Sequence, residues 1–360
     1  MRSISSLPGL SEPRFVEVPE PAAPGDGEVL CRTLELGVCG TDREILASKN
    51  PLLPPGSDHL TLGHECLACI EAVGSGVSDL SGGDLVVPVV RRATVESAIR
   101  VDLLALGEYV ESGIFYGHGF SVPLFLDRPE HLFKVDGPVT EVAVLTEPLT
   151  VAEKGVNEAL AVERARIGAN YWTDPPPTVL VTGMGPIGFA GVIACRARGW
   201  PVVMYGRDPA DSFRAELAVR LGATYLRSDD WESVLPERDS EGFDLVLECT
   251  GSEEVMLRAG RLLRARGVMV WLGSSSRPQP QHQNVGRLMR DCLVRNVALI
   301  GSVNAAPRDF VDALAHLEAM LKTHTDELRA LITARIDPGD ALWHYENREP
   351  QGIKTILDYR

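Results

Sequence analysis

The chain has 360 residues, 44% of them hydrophobic and 24% charged. At roughly 150 residues per domain this length gives two domains or one large α/β unit, and the composition excludes a collagen, a disordered tail and a disulfide miniprotein. Thirty-five Lys and Arg against 50 Asp and Glu leave a net charge of −15, a poor surface for nucleic acid or anionic membrane, where clustered cations must release counterions.

Met1–Leu10 has no continuous apolar core, so no secretory leader is expected. No run approaches the roughly 20 apolar residues of a spanning helix. The seven cysteines are scattered and odd in number, which fits a reducing, cytoplasmic compartment. The first 150 residues read as short β-runs broken by Gly and Pro: Glu28–Glu35, Cys66–Val73 and Asp84–Val90. Frequent turn signals predict a partly open barrel or sandwich. Residues 91–112 read instead as loop or short helix, with apolar Val101, Leu103, Leu104 and Leu106.

From Glu147 the period changes, because Ala152, Val156, Ala159 and Leu160 are spaced as on one helix face. Beyond the proline-rich punctuation Asp174–Thr178, strands and helices alternate. Thr178–Thr182, Pro201–Tyr205, Asp244–Glu248 and Val268–Leu272 read as strands, with helices through Arg198 and over Ala215–Leu221. This alternation predicts an α/β domain, a doubly wound parallel sheet covered on both faces, inserted in or appended to the β-rich one. A helix over Phe310–Leu321 and short strands complete the chain.

Gly183-Met-Gly185-Pro186-Ile187-Gly188 is a G-x-G-x-x-G directly after a strand and at the opening of a helix. In that setting the first glycine makes the tight turn and the second admits a pyrophosphate. The third packs helix on strand, and the helix N-terminus faces the anion. About 20 residues on, where a dinucleotide fold reads the ribose, stands Tyr205-Gly206-Arg207-Asp208. A small Gly followed by Arg leaves room for a 2′-phosphate and supplies a planar cation for it, which favours NADP. Asp208 could turn to a ribose hydroxyl or neutralise Arg207, so NAD stays possible.

Cys39-Gly-Thr41-Asp42 and Gly63-His64-Glu65 offer a thiolate, an imidazole and a carboxylate. Brought together, these suit Zn²⁺ with an open position for substrate. Nothing local joins Cys39 to His64, and a lone Cys is commonly a small buried apolar residue.

These two motifs, Gly82-Gly83-Asp84-Leu-Val and the Gly183–Gly188 loop occur in the order found in the zinc-containing medium-chain dehydrogenases, which the chain resembles over nearly its whole length. It is most similar to their glucose 1-dehydrogenase branch, through Gly37–Glu44, Val90-Arg91-Arg92, Glu147–Lys154 and Gly301-Ser302-Val303-Asn304. The resemblance implies a GroES-like catalytic domain at residues 1–150, completed by 305–360, and a Rossmann domain at 151–304. It implies catalytic zinc at Cys39, His64, Glu65 and Glu147, with Glu147 a ligand, a substrate contact or each in turn. Thr41 and Glu65 are the implied catalytic residues, Thr41 bonding the reacting hydroxyl and relaying its proton. Glu111 would read sugar hydroxyls and Asn304 both sugar and nicotinamide, while Thr250, Leu272, Gly273, Ser274 and Ser302 would line the nicotinamide end.

Relatives of this kind carry a second, structural zinc on a four-cysteine lobe after the Arg pair. Here residues 91–112 hold no cysteine. One zinc is therefore expected, with the lobe held by apolar contacts such as Leu103, Leu104 and Leu106. Cys66 and Cys69, three apart on a strand, point to opposite faces and read as core residues. The implied reaction is NADP-linked oxidation of an aldose, D-glucose or similar, at C1 to the lactone. Val90, where some relatives place a polar sugar contact, leaves open a zinc dehydrogenase for another polyol or biosynthetic sugar intermediate. A non-catalytic NADP-binding protein is the remaining alternative. Expected partners are a polyhydroxylated small molecule and further copies of the chain, a homodimer or homotetramer paired through Val297–Ile300.

Overall fold

The computed structural model describes residues 1–169, 171–234, 241–274 and 285–360. Two compact units divide the chain. Met1–Glu147, Ala306–Leu314 and Leu331–Arg360 form the first, Pro148–Ala305 and Ala315–Ala330 the second. Ala315–Ala330 joins the second unit, where His316 Nδ1 lies 2.8 Å from the carboxylate of the buried Glu153.

The first unit is built on a seven-stranded sheet whose spine is β1 (Val29–Val38) against β2 (Glu65–Val73), antiparallel. Strand Lys354–Asp358 pairs with the other edge of β1. Val29, Cys31, Leu36, Ile70, Val86, Phe120 and Leu357 pack into the core of this unit. Register decides what meets at one end of the sheet. β1 stops at Val38, and Cys39 becomes the N-cap of α1 (Gly40–Ser48). Glu65, the first residue of β2, pairs with Gly37, and Thr355 pairs with Val38. Cys39, Glu65 and Lys354 thus arrive together from three distant parts of the chain. Cys66 is buried in β2 and Cys69 half-buried, and both are free thiols.

Residues 91–117 form a small sheet of Arg91–Ala93, Tyr109–Ser112 and Tyr116–Gly117 with a 3₁₀ turn at Val101–Leu103. The expected apolar clasp is corrected here. Leu104 is buried, but Leu103 and Leu106 are 54% and 76% exposed, since the turn carries them to the outside. An ionic cluster holds the lobe instead. Arg91 donates from Nε to Glu111 Oε1 at 2.8 Å and from Nη1 to the Asp102 carbonyl at 3.1 Å, and its guanidinium lies 3.8 Å from the Tyr109 ring centre. Arg100 grips the Asp102 carboxylate with two hydrogen bonds, 2.7 and 3.1 Å.

In the second unit β3 (Val179–Thr182), β4 (Val202–Gly206), β5 (Thr224–Arg227), β6 (Phe243–Glu248), β7 (Leu263–Trp271) and β8 (Ala298–Gly301) form one parallel sheet. Its order is β5-β4-β3-β6-β7-β8. The order reverses between β3 and β6, the switch point where such sheets take ligands. The buried central strands explain the apolar runs of the sequence, Val179–Val181 in β3 and Leu245–Leu247 in β6. Gly183 turns out of β3 at φ 94°, and Gly185 caps the helix Pro186–Ala197. No described helix is long and apolar enough to cross a membrane.

Candidate metal centre and nucleotide loop

Cys39 Sγ, a His64 ring nitrogen and a Glu65 carboxylate oxygen lie within 4.8 Å of one another. His64 and Glu65 are 3% and 1% exposed. The cluster depends on Gly37, because a Cβ there would run into the Glu65 carboxylate. Thr41 sits in α1 with Oγ1 3.7 Å from Cys39 Sγ. Asp42, fully buried, closes the helix cap by accepting the Cys39 amide at 2.9 Å. Its other oxygen faces His64 Nδ1 at 3.6 Å, and among the described residues neither atom has a hydrogen bond.

The electrostatics of this pocket are those of a cation site. Burial works to neutralise His64, but Cys39, Asp42 and Glu147 outweigh it and hold the imidazole pKa well above its ordinary value. Burial raises the Asp42 carboxyl, against the pull of His64. Glu147, in the first turn of the helix Thr146–Arg166, is pushed up to about 7, chiefly by burial and by the Glu65 charge, with His64 opposing. An N, S and O donor set with His64 and Glu65 buried, Cys39 half-buried and carboxylates around it fits Zn²⁺, and Asp42 lies on the Nδ1 side of the His64 ring. Glu147 lies outside the three mutually close atoms, although its titration responds to His64, Glu65, Lys354 and Glu111.

The sequence reading missed Lys354. Its ammonium, 1% exposed, donates to Glu65 Oε1 at 2.6 Å and lies 2.5 Å from Oε2. Burial lowers the Lys354 pKa, but the Glu65, Cys39 and Glu147 charges more than reverse this, and the group stays cationic. Both Glu65 oxygens are therefore engaged by Lys354. No local signal could have found it, since the partners stand 289 residues apart. Glu111 is buried and fixed by Arg91, so the residue expected to read hydroxyls also binds the central arginine of the lobe. Val90 is buried, and its carbonyl accepts the Ser112 amide at 3.0 Å, a packing role.

The nucleotide-binding candidates gather along the carboxyl ends of the parallel strands. Gly188 passes close to the Gly183 carbonyl, leaving no room for a side chain, while Pro186 and Ile187 begin the helix over the loop. The turns after β6 and β7 close on each other through Gly251 and the Gly273–Ser274 backbone. Buried Glu248 fixes the first turn by accepting the Thr250 amide at 2.8 Å and the Gly251 amide at 3.2 Å. Leu272 and Gly273 donate to the Glu248 carbonyl at 2.8 and 3.0 Å. After β8, Ser302 donates its amide to the Trp271 carbonyl at 3.0 Å, and Asn304 adopts φ 61° with Oδ1 accepting the Ala305 amide. At the end of β4, Gly206 is required by loop packing, since Met184 fills the space of its missing Cβ. Arg207 is exposed and Asp208 is held by Arg214.

Comparison with known proteins agrees with both halves. Residues 25–119 match the alcohol dehydrogenase GroES-like domain, and residues 140–359 match the glucose dehydrogenase C-terminus. The glucose 1-dehydrogenase of Thermoproteus tenax is 40% identical over 319 residues, 88% of each chain. Glucose 1-dehydrogenase 1 of Caldivirga maquilingensis is 38% identical over 99% of both chains. The glucose dehydrogenase of Haloferax mediterranei, solved in complex with NADP, Zn and gluconolactone, superposes with a TM-score of 0.85. It is 27% identical to this chain and covers all of it and 99% of its own length. The chain belongs to the zinc-containing medium-chain dehydrogenases, in their glucose dehydrogenase branch.

Proposed function

We propose that the protein is a zinc-dependent, NADP-linked glucose 1-dehydrogenase that converts an aldose to its lactone, with D-glucose the leading substrate. One observation carries the reading: the close cluster of Cys39, His64 and Glu65 sits in a chain similar along its full length to a glucose dehydrogenase solved with NADP, Zn and gluconolactone. Zinc held by Cys39 and His64, with Glu65 and Glu147 beside them, supplies a Lewis acid that lowers the pKa of a nearby hydroxyl. NADP supplies the hydride acceptor.

The chain's own residues do the rest. Thr41 Oγ1 accepts a hydrogen bond from the C1 hydroxyl and relays its proton, releasing its own hydroxyl proton outward to solvent. Asp42 sets a carboxylate charge beside the His64 ring, 3.6 Å from Nδ1. Glu111 and Glu147 accept hydrogen bonds from the other hydroxyls, and a site built on such acceptors rejects analogues that would leave them unpaired. Gly183, Gly185 and Gly188 seat the pyrophosphate at a helix N-terminus, Arg207 takes the 2′-phosphate, and Thr250, Leu272, Gly273, Ser274, Ser302 and Asn304 frame the nicotinamide. The seven free thiols support a cytoplasmic, reducing setting. β8 ends the described sheet, and no other described strand pairs with its outer edge, which supports a homodimer or larger assembly joined there.

The test pairs zinc content with initial rates across aldoses and polyols using NADP and NAD. Near one zinc per chain and D-glucose turnover favouring NADP is the expected result. Activity confined to other polyols would move the substrate and keep the chemistry, and a zinc-free, inactive protein would overturn the reading.

A further inference from the structure

The carboxyl end of β4 presents opposite charges on adjacent residues, Arg207 and Asp208. An aspartate there could do two things against a 2′-phosphate: pair with Arg207, or repel the phosphate while accepting a ribose hydroxyl. In the structure its carboxylate is taken by a third residue. Arg214, in the helix Phe213–Arg220, donates from Nε to Asp208 Oδ2 at 2.6 Å and from Nη2 to Oδ1 at 2.9 Å. Both side chains of the clasp are largely buried, 14% and 15% exposed. The Asp208 backbone is pinned as well, since the Tyr225 hydroxyl donates to its carbonyl at 2.6 Å. Two parallel charge-assisted bonds fix direction as well as distance, so the carboxylate is turned toward the helix.

The neighbouring cations are arranged to match. Arg227, paired in register with Gly206 on β5, is occupied by Asp229 at 2.8 Å. Arg207 is exposed and, among the described residues, has no hydrogen bond or ion pair. With Asp208 paired to Arg214 and Arg227 to Asp229, Arg207 is the cation at this strand end that no described carboxylate engages.

We propose that Arg214 is a specificity-determining residue for the nucleotide, holding the Asp208 carboxylate away so that Arg207 meets a 2′-phosphate unopposed. Arg214 acts through Asp208 and is a positioning residue. The inference rests on the NADP reading above and adds the device by which a chain with an aspartate at this point accepts the phosphate.

The test measures binding, with no turnover. Dissociation constants for 2′,5′-ADP and 5′-AMP are taken by calorimetry on the full chain. The proteins compared are the wild type, Arg214→Ala, Asp208→Asn and the double variant. Arg214→Ala is expected to weaken 2′,5′-ADP about tenfold or more, an effect of about 1.4 kcal/mol, with 5′-AMP changed less than about threefold. Adding Asp208→Asn should restore 2′,5′-ADP binding to within about threefold of wild type, which a merely structural role for Arg214 would not allow. Asp208→Asn alone should leave both constants nearly unchanged, and a tenfold gain for 2′,5′-ADP would show that Asp208 opposes the phosphate despite the clasp, overturning the proposal. Equal weakening of both ligands by Arg214→Ala, or a double variant that is not restored, overturns it too. A wild type that does not distinguish the two ligands would remove the NADP reading and this inference together. A wild type that prefers 2′,5′-ADP with no response in Arg214→Ala would remove only the inference.

Discussion

Lys354 and Glu65 are a fully buried ion pair at the edge of the metal cluster. Removing one partner of such a pair leaves an uncompensated charge, typically at a cost of about 3–5 kcal/mol. Lys354→Met should therefore destabilise the metal-free protein by about 3 kcal/mol in urea unfolding. Zinc should recover more stability in this variant than in the wild type, because Glu65 loses its competing cation. An equal zinc-induced shift in both proteins would mean that Lys354 does not hold Glu65 from the metal. At this scale the sequence was legible only where a motif is local. Cys39, Thr41 and Asp42 lie within one turn, and His64 and Glu65 are neighbours, so their residue types announced a donor set. Lys354 was not legible, because its partner is set by the pairing of Lys354–Asp358 with β1, a long-range fact with no local pattern.

Among the elements, the lobe of residues 91–117 is held by a buried ionic cluster. Its centre is the Arg91 guanidinium, bonded to Glu111 and the Asp102 carbonyl and stacked on Tyr109. Arg91→Ala removes both the ion pair and the packing over the ring. It is expected to lower stability by about 3–5 kcal/mol and to speed proteolysis within residues 95–107, whether or not a chelator is present. Unchanged urea midpoints would show that the lobe does not depend on this cluster. Leu103 and Leu106 read as apolar anchors from composition alone, yet a 3₁₀ turn cannot be phased from so short a segment, and the structure places both outside. α1, nine residues long with Leu46 its buried apolar residue, carried too little periodicity to be read as a helix. The strands of the parallel sheet were readable for the opposite reason. β3, β4 and the centres of β6 and β7 are buried and read as apolar runs, with the glycine loop marking the first, whereas β5 has one buried residue and carries no such run.

For the whole molecule, the two units carry separate cores and separate ligand sets. The first holds Cys39, Thr41, Asp42, His64, Glu65, Glu111, Glu147 and Lys354, packed over Val29, Leu36, Ile70 and Leu357. The second holds the loop Gly183–Gly188, Arg207 and Thr250, with a core of Leu180, Val246, Leu263 and Met269. No residue proposed for zinc belongs to the second unit, and no residue proposed for the pyrophosphate or 2′-phosphate belongs to the first. Stripping the metal with a chelator should therefore abolish sugar oxidation while leaving the NADPH dissociation constant, read by nucleotide fluorescence, within about threefold of its starting value. Ligand binding adds stability in proportion to ligand concentration over dissociation constant. NADPH at 100 times that constant should thus still raise the unfolding free energy of the stripped protein by about 2.7 kcal/mol. A stripped protein that no longer binds NADPH would mean that zinc is needed to form the nucleotide site itself. The division of ligands between the two cores would then be a division of sequence and not of folding.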